Sequence, residues 1–301
     1  MKRLALALLL IAAAPASSPV LRAEGWTAPS PSRAAALSSA PVECLARTDD
    51  AIETGRALFR SAVLFGGPAA RVGLSCEACH AGGRVNTHFL LPELGDKPGE
   101  VDVTSEWASK TRGDGVRNPV AIPDLAGAGT RASFGGKREP SLDVFVRDVI
   151  VEEFQGQAPT DAALEGLVAY IRALDPAMCR AGSTPVTVAG GAADVRRALA
   201  AAMRQTERHD MATASLLLYA AQDGVARLVE RLPPRAFAPE RSALTQLARE
   251  LGALRSEPFR LADAYPAWSA RFAGVVRRVE RREAGTYFNP RLLARAMHEG
   301  R

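Results

Sequence analysis

Cys76-Glu77-Ala78-Cys79-His80 is the stretch of this 301-residue chain whose residue types and spacing specify the most chemistry. Two thiols separated by two residues can each add to one vinyl group of a haem. The histidine that follows then stands under the iron as its proximal ligand. The pattern predicts one covalent haem c, attached at Cys76 and Cys79 and ligated by His80. Zinc binding and a redox-active disulfide are the other chemistries open to a Cys-x-x-Cys pair. The adjacent histidine and the export features of the N-terminus favour haem.

A haem that transfers electrons needs two strong axial ligands, whereas a peroxidase or gas-binding haem keeps its distal position open among polar groups. The histidines are His80, His88, His209 and His298, and no methionine lies between His80 and Met178. His88, in the polar loop 82–89, is the first candidate for the distal ligand, and an exposed loop histidine is its bland alternative. Met178, at the end of the last helix of this region, is the second candidate, set against a simple packing role. His209 and His298 read as surface residues of the C-terminal half. Arg112, Arg117 and Lys137 are candidates to pair with haem propionates, with Arg117 first, because guanidinium forks suit carboxylates. Cys44 and Cys179 flank the region, and in an oxidising compartment such a leftover pair predicts a disulfide.

The elements that must position these residues follow from the rest of the chain. Lys2 and Arg3 precede an apolar run from Leu4 to Ala14, then small residues, with cleavage sites offered after Ala16 and after Ala23. Residues 1–23 thus read as a signal peptide and predict a periplasmic location. Residues 24–41, rich in Ala, Ser and Pro, read as a disordered spacer. Residues 42–182 form the expected haem domain, 183–191 a linker, and 192–301 a basic helical bundle. Asp49 to Ala62 and Thr160 to Leu174 carry helical periodicity, with Asp49 or Asp50 and Thr160 as caps. Gly55 would let those two helices approach closely. Further helices are expected over Asp194 to Gln222, broken or continuous, Pro239 to Leu254 and Asp263 to Glu283. The expected class is all-α.

Charge separates the two halves. Residues 42–182 hold 15 Lys and Arg against 20 Asp and Glu, while residues 183–301 hold 19 against 12, every one of the 19 an arginine. An exported chain has little access to nucleic acid, so the basic half points to an acidic redox partner protein or to peripheral contact with anionic lipid. A solvated arginine-rich surface is the simpler alternative.

Several segments follow the Cys76–His80 motif in order: Arg117-Asn118-Pro119, Ile122-Pro123-Asp124-Leu125, Gly135-Gly136-Lys137, then Pro140-Ser141-Leu142 and a helix through Phe154. With the Leu-Val-Ala-Tyr-Ile-Arg helix ending near Leu174, this succession resembles the haem domains of the bacterial cytochrome c peroxidase and MauG family. It covers residues 50 to 176. The resemblance implies a cytochrome c-like fold and a Pro123 carbonyl near the ring N–H of His80. Two departures bear on activity: the chain has one Cys-x-x-Cys-His where family peroxidases have two, and Phe134 and Ala132 stand at the positions of the family's histidine and tyrosine. The favoured expectation is therefore a monohaem c-type cytochrome that transfers single electrons. The alternatives are a peroxidase or MauG-like oxidase acting on hydrogen peroxide, and a haem-based sensor.

Overall fold

The computed structural model describes residues 19–135 and 141–299, so most of the expected signal segment, and Lys137, lie outside the described residues. Helices dominate, as the all-α expectation requires. In chain order they are α1 (Arg33–Leu37), α2 (Asp50–Phe59), α3 (Gly67–Val72), α4 (Cys76–Cys79), α5 (Leu142–Asp148) and α6 (Asp161–Ala173). The C-terminal half adds α7 (Val188–Glu207), α8 (Met211–Glu230), α9 (Ala238–Leu254), α10 (Leu261–Glu280) and α11 (Pro290–Glu299). The strands are short: β1 (Ser39–Pro41) pairs antiparallel with β4 (Ser183–Pro185), and β2 (Glu100–Val101) with β3 (Val120–Ala121).

The crossing of α2 and α6 organises the N-terminal half. Asp49 caps α2 by accepting the Ile52 N–H at 2.9 Å, and Thr160 caps α6 by accepting the Ala163 N–H at 3.2 Å. Each cap satisfies a backbone donor that the first helical turn leaves free. At the crossing the backbones meet at Gly55 and Gly166: a Cβ on Gly55 would stand 1.9 Å from the Gly166 carbonyl oxygen. No other residue type fits there. Phe59 and Tyr170 pack tilted at 5.0 Å beside the crossing, both buried. After α5 the chain continues as a π-helical turn over Val149–Glu153, so the helix expected through Phe154 is present but changes its winding.

In the C-terminal half, α7 and α8 are separate helices. The chain breaks at His209, which takes a positive φ of 60°, and Asp210 then caps α8 through the Thr213 N–H at 2.9 Å. Leu199, Leu217, Leu218, Leu247, Trp268 and Phe272 are buried between α7, α8, α9 and α10.

Two expectations about organisation are corrected. Residues 24–41 are not a disordered spacer: they contain α1 and β1, and Trp26, Ala34 and Leu37 are buried. The physical reason is a distant partner. Leu21, Ala34 and Leu37 pack against Leu293 and Met297 of α11 in a small second core. Nor do residues 183–191 form a linker between independent domains, since they supply β4 and the start of α7. Ile52, Leu58 and Phe59 of α2 belong to the same apolar cluster as Val195, Leu199 and Leu217, and α2 packs directly on α7 and α8.

Candidate haem-attachment site

The site begins with one helical turn. In α4 the Cys76 carbonyl accepts the His80 N–H at 2.9 Å, and His80 then leaves the helix with φ −120° and ψ 63°. The chain reverses through Gly82 and Gly83, both at positive φ; a Cβ on Gly83 would stand 2.5 Å from a Leu174 methyl group. Asn86 closes the end of α4: its backbone N–H donates to the Cys79 carbonyl at 2.9 Å and its side-chain amide to the Ala78 carbonyl at 2.8 Å. Sequence reading missed Asn86. Its signal was only its type, a short amide six residues past the last motif turn, able to satisfy the free carbonyls at a helix end.

Cys76 and Cys79 are half-buried free thiols packed against the apolar core. Burial, with the Glu77 carboxylate adding to it, pushes the Cys76 thiol up to about 12, and burial pushes Cys79 up as well. A redox-active pair needs a lowered thiol pKa, so these are poor candidates for thiol–disulfide catalysis. Among the described residues no group of three or more His, Cys, Asp or Glu is arranged to hold a metal ion.

Burial pushes the His80 imidazole down to about 4, against the opposing influence of the Pro123 carbonyl and Asp124. It is therefore neutral at pH 7, as a nitrogen ligand must be. Its Nδ1 is buried, and no hydrogen bond of ordinary geometry reaches it. The Pro123 carbonyl thus faces the ring without closing a full bond. The segment carrying Pro123 docks on the motif: the Leu125 N–H donates to the Gly83 carbonyl at 3.1 Å, and Arg84 Nε donates to Asp124 Oδ2 at 2.5 Å.

The structure does not gather the other sequence candidates at this turn's buried side. His88 is exposed; its N–H donates to Asn86 Oδ1 at 3.0 Å and its carbonyl accepts the Ala28 N–H at 2.8 Å. Met178 lies in a 3-10 turn at 46% exposure. Arg117 is exposed and already engaged: its Nη2 donates to Asp96 Oδ1 at 2.6 Å and to the Pro92 carbonyl at 2.9 Å. Arg112 pairs with Glu153 at 2.9 Å and with Asp148 at 3.1 Å, tying its loop to α5 and the π-helical turn. Phe134 is buried and stacks on Phe145 with ring centroids 5.7 Å apart. Cys44 and Cys179 are joined by a disulfide, their Cα atoms 4.5 Å apart, and Arg84 Nη1 donates to Cys44 Sγ at 3.6 Å.

Glu77, inside the motif, faces away into a charged cluster. Its Oε1 accepts the Gly82 N–H at 3.0 Å, and its Oε2 stands 3.9 Å from Arg60 Nε. No family model matches the chain, and no curated protein or solved structure matches it.

Proposed function

We propose that this chain is an exported monohaem c-type cytochrome, with Cys76 and Cys79 as the covalent attachment points and His80 as the proximal ligand. The observation that carries the reading is the Cys76–His80 turn itself. Two free thiols on one helical turn precede a neutral, buried imidazole with an unbonded Nδ1. A haem held there supplies an iron centre that takes up and returns one electron. The chain's own contribution is to bury the imidazole beside the Pro123 carbonyl and Asp124, and to pack the half-buried thiols against the apolar core. The Pro123 carbonyl beside the ring favours a more basic ligand.

One-electron transfer is preferred to peroxidase or MauG-like chemistry because of Phe134. An apolar ring stacked on Phe145 supplies no polar group to work on peroxide, and the chain holds a single attachment motif. No described helix is long and apolar enough to cross a membrane. The arginine-rich C-terminal half supports a periplasmic redox partner protein that offers an acidic face.

Export also predicts where the chain is cut. Leu21 is buried against α1 and α11, and Arg22 pairs with Asp223 and with Glu230, each at 2.6 Å. Cleavage after Ala23 would discard both residues and leave the buried Asp223 with Arg227 alone, so cleavage after Ala16 is expected. The intact mass of the mature chain reports the cut and the covalent haem together. The optical spectrum, ferric and ferrous with carbon monoxide added, then tests the activity. A six-coordinate low-spin haem indifferent to carbon monoxide is expected. A mass without haem, or a high-spin haem that binds carbon monoxide at once, overturns electron transfer.

A further inference from the structure

The C-terminal helices carry no recognisable chemistry, yet they are connected to the Cys76–His80 turn through one side chain. Arg60 stands at the end of α2 with its side chain only 17% exposed. Its Nη1 pairs with Asp194 Oδ1 of α7 at 2.7 Å, its Nη2 with Glu43 Oε1 at 3.3 Å, and its Nε with Glu77 Oε2 at 3.9 Å. From α8, Arg227 donates to the Arg60 carbonyl and pairs with Asp223 at 3.3 Å. One guanidinium therefore serves the segment beside the disulfide, the middle of the attachment motif and the C-terminal half.

The Glu77 end of this arrangement is the loosest. Arg60 Nε and Glu77 Oε2 are both buried and neither completes a hydrogen bond, whereas Asp194 holds Arg60 at full ion-pair distance. Asp194 also pairs with Arg197, and Glu43 with Arg56 and with the Tyr170 hydroxyl at 2.7 Å. Asp194 and Glu77 thus compete for the same cation, one on each side of the boundary between the two halves. Charges in such a setting act on one another more strongly than at the surface.

We propose that Arg60 is a positioning residue through which the C-terminal helices set the charge felt at the Cys76–His80 turn, and hence the reduction potential of the haem there. This rests on the haem reading above. The signs follow from charge alone. Replacing Asp194 by asparagine frees Arg60 to neutralise Glu77, makes the turn more positive and disfavours the oxidised iron. Removing the Arg60 charge leaves Glu77 uncompensated and favours the oxidised iron.

The test is a redox titration of the haem-loaded chain. Asp194→Asn should raise the midpoint potential and Arg60→Gln should lower it. Arg60→Lys should restore most of the loss, and Asp194→Asn should do little in the Arg60→Gln background. Shifts of the same sign in both single variants, as general loosening would give, overturn the proposal, as does a full Asp194→Asn shift that survives without Arg60. The link can also be read without haem, by denaturant unfolding of Asp194→Asn, Glu77→Gln and the double variant. Non-additive midpoints are expected, and strictly additive ones sink the link. A wild-type chain that takes up no haem would end the cytochrome reading, and the unfolding cycle would still decide whether Arg60 couples the two sides.

Discussion

The half that carries the cysteine motif and the half that follows it are held together by different physics. Between Arg84 and Ser141 the described residues form no α-helix, only β2, β3 and a short 3-10 turn. That stretch adds individual cross-links to the core contacts of Phe89, Leu91, Leu94 and Ile122: Arg84 to Asp124, Arg112 to Asp148 and Glu153, and the Gln155 amide to the Ala108 carbonyl at 2.8 Å. The disulfide and the Gly55–Gly166 contact add two more single-point constraints. From α7 to α10 the stability is spread over interlocking Leu, Ala, Val and aromatic side chains, with Trp268 and Phe272 stacked at 4.9 Å. The first half thus leans on single contacts at several points. A scaffold half packed everywhere resists local change.

This contrast predicts steep losses in the first half and shallow ones in the second. Replacing Cys44 and Cys179 by serine reopens the longest covalent loop, which the chain-entropy model values at about 5 kcal/mol, read as a fall in the denaturant midpoint. Gly55→Ala follows, because the new methyl group meets backbone that cannot yield. About 3 kcal/mol is expected in the same assay. A loss below about 1 kcal/mol for either would break the comparison.

Acid titration probes the ionic pins. Burial alone would push Glu43 up, but Arg60 and Arg56, with the Tyr170 hydroxyl, outweigh it and hold the carboxyl below its ordinary value of 4.5. Its contribution to stability is complete above that value and is lost as the pH falls through the lower folded value. Unfolding followed from pH 6 downward should therefore steepen in the wild type and flatten in Glu43→Gln. The smallest effect is expected in α10. A Cβ on Gly274 would meet nothing nearer than Arg278 Nη1 at 3.9 Å, so Gly274→Ala should stabilise by about 0.5–1 kcal/mol. Destabilisation there would mean that the scaffold half is as finely fitted as the site half.

What the sequence disclosed and what it hid divide along the same line of range. The α2 and α6 caps lie within three residues of the donors they satisfy, and the need for a small residue at Gly55 is written in its type. The Cys-x-x-Cys-His motif is likewise a local pattern. Arg60 is different: Asp194 is 134 residues away, and no periodicity points from one to the other. Residues 24–41 look poor in apolar content when read alone, because Ala34 and Leu37 acquire a core only once α11 is folded beside them. His88 is suggested by its type and nearness in sequence and Met178 by its place at a helix end, and their exposure comes from loop paths that no short pattern encodes.

The small core shared by α1 and α11 has a consequence for how the chain is made. A polypeptide leaves the ribosome N-terminus first, yet Leu21, Ala34 and Leu37 must wait for Leu293 and Met297, which emerge long after them. That small core therefore closes only after the helices between α1 and α11 have been made. During that delay the Cys76–His80 turn belongs to a chain in which α1 and α11 have not yet met.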